Sequence, residues 1–290
     1  MRAAILGVAR FGVVAALALA AGCGSGGLGT KDAATDTPAP IKKYVALGDA
    51  FSAAPYVGTA DPAGGCLRSS DNFPALVAAR LEVALTDVSC TGATTDAVLH
   101  PSRSPDGTSK LPAQIDALTA DTDLVTLSVG IQDSDLLHRA FAICMKIPCK
   151  PTQLPASTIG PEAAAAGQAI TEVVRAIQAK APTAYVVLVG YPKLIPDQNP
   201  CSLIPAMRTA DYQGTTYLFA QLNAYVESAA RQTGAWFADL APATSGHHVC
   251  STEPWVRTPG DPHGQAVVLM PLAPAQQAAA DAVLAGVDAR

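Results

Sequence analysis

Two largely apolar runs, residues 123–130 (DLVTLSVG) and 184–192 (AYVVLVGYP), lie on either side of a long helical stretch. That order constrains the fold more than any other feature. Runs of this length, β-branched and apolar at successive positions, are strands covered on both faces. Between them, residues 161–182 place Ile170, Val173, Val174 and Ile177 on one helical face. The alternation extends along the chain. Strands are expected at 44–47, 86–90 and 235–240, and helices at 73–81, 111–118, 205–233 and 274–287. Strands alternating with helices require crossover connections. The expected fold is therefore α/β, a three-layer α/β/α sandwich around a central parallel sheet. Such sheets place their sites at the carboxyl ends of the strands. Here those ends are Gly48-Asp49-Ala50, Cys90-Thr91-Gly92 and Gly130-Ile131-Gln132-Asp133, with the loops after 190 and 240.

The N-terminus has a different character. Arg2 and Arg10 precede an apolar, small-residue run from Phe11 to Ala21. It is too short to span a bilayer as a mature helix and has the layout of an export signal. Small residues leading into Gly22-Cys23 resemble a bacterial lipobox, which implies cleavage before Cys23 and a lipid on its sulfur. The following GSGGLGTKDAATDTPAP (24–40) has no hydrophobic period and reads as a tether, with an end-to-end distance of roughly 25 Å. The expected organisation is a signal at 1–22, a lipidated tether at 23–41 and one folded domain at 42–290. The localisation that follows is the outer face of the cell membrane.

The net charge is −5, and loss of the two signal arginines makes it −7, from 17 Lys and Arg against 24 Asp and Glu. No basic cluster is present, which argues against a nucleic-acid partner and against attraction to anionic lipid. With Cys23 set aside, six cysteines remain, an even number that argues for disulfides in an exported chain. Six cysteines allow fifteen pairings, and spacing does not choose among them. No spacing suits zinc. No metal or cofactor is expected.

The strand ends carry compatible chemistry. A glycine at 92 lets a backbone N–H approach a ligand, and Gln132 carries an amide donor. Two such donors facing one point form an oxyanion hole. The ordered blocks YVALGDAFS (44–52), CTGA (90–93) and GIQD (130–133), with CLRSSDNFP (66–74), GYPKLIP (190–196) and GHHVCSTEPWV (246–256), resemble the SGNH (GDSL-type) hydrolases, in their secreted actinobacterial branch. The resemblance spans about residues 42–287 and implies the flavodoxin-like SGNH hydrolase fold. It also implies the pairings Cys66–Cys90, Cys144–Cys149 and Cys201–Cys250.

At the catalytic blocks the chain departs from the family pattern. The nucleophile position is Ala50, and the asparagine donor position is Gln132. Aligning the closing helix on AQQAAADAV (275–283) puts the base at Met270 and its acid at Val267. Of the four residues that name the family, only Gly92 stands. The resemblance thus assigns no intact catalytic set, and Ser52 and His263 are the candidate substitutes. A serine at helix start is ordinarily a cap, and His263 lies in a Pro/Gly-rich stretch. Asp49 is expected to bond the turn, and His247 to order its loop or meet a ligand. His100 and His138 have surface-type neighbours.

The function expected from these departures is an envelope-anchored, catalytically inactive lipoprotein. It would be monomeric and would bind an acyl or glycan ligand, or a partner, in a cleft at Asp49, Ala50, Gly92, Gln132, His247 and Met270. The alternative is a GDSL-type esterase or lipase with a rebuilt site, using Ser52 with His263 or His248. A third reading is a purely structural or chaperone-like envelope protein.

Overall fold

The computed structural model describes residues 38–61, 63–136, 160–196, 201, 209–258, 261–263 and 269–290. In chain order the elements are β1 (Lys43–Gly48), α1 (Ala50–Ala53), β2 (Ala60–Asp61), β3 (Arg68–Ser69), α2 (Phe73–Leu81), β4 (Ala84–Asp87) and α3 (Thr95–Leu99). They continue with β5 (Ser102–Arg103), β6 (Lys110–Leu111), β7 (Leu124–Ser128), α4 (Gly160–Lys180) and β8 (Tyr185–Val189). The last are α5 (Thr209–Thr233), β9 (Trp236–Ala238), α6 (Ala241–Thr244) and α7 (Ala273–Asp288).

Five strands form a parallel sheet in the order β4-β1-β7-β8-β9. Numbered by their own succession, that is 2-1-3-4-5, the flavodoxin-like order, with its switch point between β1 and β7. Side chains alternate between the two faces. Val45, Leu47, Val125, Leu127, Val186 and Leu188 pack with Ile170, Val174, Leu222 and Val226 of α4 and α5. Tyr44, Ala46, Leu124, Val187 and Val189 pack with Phe73 and Val77 of α2 and Ala279, Ala280 and Val283 of α7. The sandwich thus has one core on each side of the sheet.

Local chemistry sets the boundaries. Asn72 caps α2 by accepting from Ala75 N–H, and Glu82 ends it in the left-handed region at φ 53°. The sequence predicts a helix over 111–118. Instead Lys110–Leu111 pairs with Ser102–Arg103 in a hairpin, and only Gln114–Ala117 coil, as a 3₁₀ turn. Pro112 lacks an N–H and interrupts the run, while Ile115 and Leu118 stay buried at the three-residue spacing of that turn. The strand expected at 86–90 lies earlier, at 84–87. Among the described residues two disulfides are present, Cys66–Cys90 and Cys201–Cys250. The Cys144–Cys149 pairing, Cys23, His138 and Val267 fall outside the described residues.

Candidate active site

At the end of β1 the chain turns at Gly48, φ +145°, where a Cβ would lie 2.4 Å from Ser52 Oγ. Asp49 then opens α1. Its N–H donates to Ser128 O on β7 (2.9 Å), and its Oδ1 accepts from Phe51 N–H (2.9 Å). Asp49 is fully buried, and its Oδ2 accepts from Tyr191 O–H at 2.8 Å. The Tyr191 oxygen in turn accepts from Ile131 N–H at 3.1 Å. Burial pushes the Asp49 carboxyl up to about 7 against the pull of these hydrogen bonds, with the charge of Asp133 adding to the rise. The ends of β1, β7 and β8 are thereby tied through one buried carboxyl.

A second tie joins the loops after β4 and β7. Asp133 accepts from Thr95 N–H (2.9 Å) and Thr95 O–H (2.6 Å), so a carboxylate after β7 caps the start of α3. Gly92, φ +80°, and Gln132 are the residues these ties flank. Ala50, Gly92 and Gln132 therefore follow three neighbouring strands, β1, β4 and β7, spaced about 4.8 Å apart. Among the described residues, the N–H groups of Ala50 and Gly92 and the side-chain amide of Gln132 have no acceptor. Three uncommitted donors at adjacent strand ends can hold a developing negative oxygen.

The two positions expected to carry nucleophile and base hold apolar groups. Ala50 is buried, and so is Met270. Ser52 is fully buried, and its Oγ lies 3.5 Å from Leu47 O. The hydroxyl faces the end of β1 from beneath α1, the side that Gly48 keeps open for it. Gln276 of α7 locks this turn from the other side, donating to Phe51 O (3.2 Å) and accepting from Phe73 N–H (2.8 Å).

The basic group lies a few residues upstream of Met270. Arg257 N–H donates to Met270 O (2.9 Å) and Leu269 N–H to Arg257 O (3.0 Å), so the chain leaves and rejoins at one point beside the Val256–Pro271 bridge. Within that excursion His263 Nδ1 lies 2.8 Å from Asp261 Oδ1, and Arg257 Nη1 donates to Asp261 Oδ2 at 2.7 Å. Burial opposes charge on Asp261. The hydrogen bonds from His263 N–H, Arg257 and the imidazole outweigh it and hold the carboxyl at about 2. With an ionised acceptor at Asp261 Oδ1, Nδ1 is the donor, so in the neutral imidazole Nε2 is the acceptor. Arg257, only 5% exposed, also donates through Nη2 to Tyr56 O, and the Tyr56 ring stacks on His263 at 4.6 Å between centroids. Tyr56 follows α1 closely, and four helical residues span only about 6 Å. The imidazole is thus anchored next to the helix that begins at Ala50. Tyr56 itself holds φ 63°, a conformation that costs a non-glycine residue about 1–3 kcal/mol and that clusters at functional sites.

Residues 46–264 match the GDSL-like lipase/acylhydrolase family. Lipase 2 of Streptomyces coelicolor is 34% identical over 243 residues, covering 76% of this chain and 77% of that protein. The chain belongs to the GDSL-like lipase/acylhydrolase family. Among solved structures, the extracellular lipase of Streptomyces rimosus superposes with a TM-score of 0.65 at 26% identity, over 85% of this chain and 100% of that one. Phospholipase A1 of Streptomyces albidoflavus gives a TM-score of 0.68 at 24% identity, over 85% and 99%, and shares the fold.

For this member of the GDSL-like family, the sequence predicts catalytic inactivity, because Ala50, Gln132, Met270 and Val267 stand at the positions of nucleophile, donor, base and acid. That expectation is corrected. Relatives from 26% to 34% identical bear the name lipase, which points to an active hydrolase. His263, the substitute base named from the sequence, lies seven residues upstream of position 270 and is paired with Asp261. The other candidates occupy structural positions. His247 stacks on Trp255 at 3.7 Å with its Nδ1 2.9 Å from Glu253 O, which orders its own loop. His248 Nδ1 accepts from Cys250 N–H, and exposed His100 lies 3.9 Å from Asp96. Sequence reasoning missed Tyr56, Arg257 and Asp261. The signal available was the short spacing of Asp261 and His263, an acid two residues from a histidine.

Proposed function

We propose that this chain is an exported carboxylic ester hydrolase acting on acyl esters, with His263 as general base and a water molecule as nucleophile. It is held at the outer membrane face by a lipid on Cys23. The observation that carries the reading is the Asp261–His263 pair, fixed by Arg257 to the Tyr56 carbonyl beyond the end of α1.

The ester carbonyl oxygen is received by Ala50 N–H, Gly92 N–H and the Gln132 amide. His263 Nε2 takes a proton from water as the water oxygen bonds to the carbonyl carbon. The resulting oxyanion is stabilised by the three donors, whose fixed dipoles need no reorganisation. The carbon–oxygen bond to the alcohol then breaks, and the imidazolium returns its proton to the leaving oxygen. Asp261 remains ionised throughout, holding the tautomer and offsetting the imidazolium charge. Water is favoured over a side chain because position 50 has only a methyl group and Ser52 is turned towards β1.

The deciding experiment is hydrolysis of p-nitrophenyl acetate and octanoate by the purified full-length chain in detergent, beside His263→Ala. Turnover in the wild type that falls by about 10²–10⁴ in the variant supports the reading, since that is the range of general-base assistance. Turnover indifferent to His263, or absent, overturns it.

A further inference from the structure

We infer that the cavity of about 500 Å³ between α3, the β5–β6 hairpin and the Cys66–Cys90 disulfide receives the acyl chain of the substrate. The inference rests on the hydrolase reading above and adds to it the side of the ester that this enzyme selects.

Three observations converge. First, Gly92 is both a wall of the cavity and one of the three donors at the strand ends, so a carbonyl oxygen held there opens directly onto the cavity. Secondly, the inner wall is fixed to the strand that carries the site. Gln114 lines the cavity, and its amide donates to Gly48 O (3.0 Å) while its Oε1 accepts from Gly48 N–H (2.8 Å). Thirdly, Val88, Ala97, Leu111 and Ala113 give the cavity a mainly apolar lining, with Arg68, Arg103 and Asp116 also on its wall. A volume of this size lies within the range that encloses a small organic ligand.

The position of the base decides which half of the ester enters. His263 must reach both the attacking water and the departing alcohol oxygen. It is tied to Tyr56, beyond the end of α1. The third carbonyl substituent, the acyl chain, then points away from His263, towards Gly92 and α3. The alcohol leaves on the other side, and an apolar pocket on the acyl side selects medium-length, unbranched chains over acetyl.

The test uses the full-length chain in detergent, with Ala97→Phe and Leu111→Trp as two independent ways of filling the cavity. Thermal unfolding of each variant verifies the fold. Sodium decanoate is titrated calorimetrically, and turnover of p-nitrophenyl octanoate is compared with that of the acetate. The expected result is decanoate binding that weakens at least tenfold in both variants, with the octanoate-to-acetate ratio falling by a similar factor. Decanoate binding lost in the variants without hydrolysis of either ester would retain the acyl pocket while removing the hydrolase reading. Hydrolysis of both esters with a ratio and a decanoate affinity that neither folded variant moves would overturn the pocket and leave the hydrolase reading intact. A wild type that does not bind decanoate overturns it as well.

Discussion

His263 and Asp49 are the two titratable residues on which the site depends, and they make opposite demands. His263 needs a charged neighbour. Asp261→Asn removes the ionised acceptor that fixes the tautomer, so kcat should fall by at least tenfold with KM little changed. Steady-state kinetics on the octanoate ester checks this. Asp49 needs the absence of charge. Its folded value of about 7 lies above the ordinary 3.8 because burial disfavours the carboxylate. Between those values the unfolded chain has lost a proton that the folded chain keeps. Its contribution is therefore fully present below pH 3.8 and is lost as pH rises through 7, a swing of up to about 4 kcal/mol. Asp49→Asn keeps an acceptor for Phe51 N–H and cannot ionise. Urea unfolding between pH 4 and pH 8 should show a clearly flatter profile in the variant. The rises at Asp87 and Asp133, which have the same sign, leave some slope. A slope identical to that of the wild type would refute the assignment. At this scale the sequence displayed what the site lacks, because Ala50 and Met270 stand in recognisable blocks. It did not display Arg257 gripping the Tyr56 carbonyl from 201 residues away, a contact that no local pattern marks.

At the scale of elements, the central strands and long helices were legible because their signal is local. β7 and β8 are largely apolar runs, and α4 repeats its buried residues at helical spacing. The short pieces were not. α3 has only five residues, and it owes its start to Thr94 and to Asp133 from another loop. The failed helix at 111–118 became a hairpin edge and a 3₁₀ turn because its partner strand, β5, is visible only in three dimensions. Two predictions belong here. Gly167 lets α4 and α5 meet closely, since a Cβ there would sit 2.8 Å from the Tyr225 Cβ. Gly167→Ala should destabilise by about 1–3 kcal/mol through overpacking, despite the better helix propensity of alanine. An increase in the guanidinium midpoint would show that the helices yield freely. The Cys66–Cys90 bridge closes a separation of 24 residues and walls the proposed acyl cavity. Replacing both cysteines by serine should cost about 3.5 kcal/mol by the chain-entropy relation. It should also weaken decanoate binding under conditions where the protein is still folded.

The whole molecule combines a folded unit, residues 39–290, with the proposed lipid-bearing tether. What holds such a chain at a membrane can be reasoned from its charge. With residues 1–22 removed, as proposed, the chain would carry 17 Lys and Arg against 24 Asp and Glu, so an anionic surface would repel it, the more so as salt is lowered. No described helix is long and apolar enough to cross a membrane. In the proposed arrangement attachment comes from acyl chains on Cys23, at about 0.8 kcal/mol for each buried CH₂, and more than one chain is needed for stable anchoring. Cys23→Ser should therefore move the protein from the membrane pellet to the soluble fraction. Ester turnover per mole should be retained, because the tether contributes no residue to the proposed site. High salt should not release the wild type, whereas detergent should. If Cys23→Ser still sediments and salt strips it, the attachment is electrostatic, through a positive patch that the net charge conceals. If it sediments and only detergent frees it, the uncleaved segment 1–22 is itself the anchor. Either result removes the lipid from the account while leaving the active-site proposal to stand on His263.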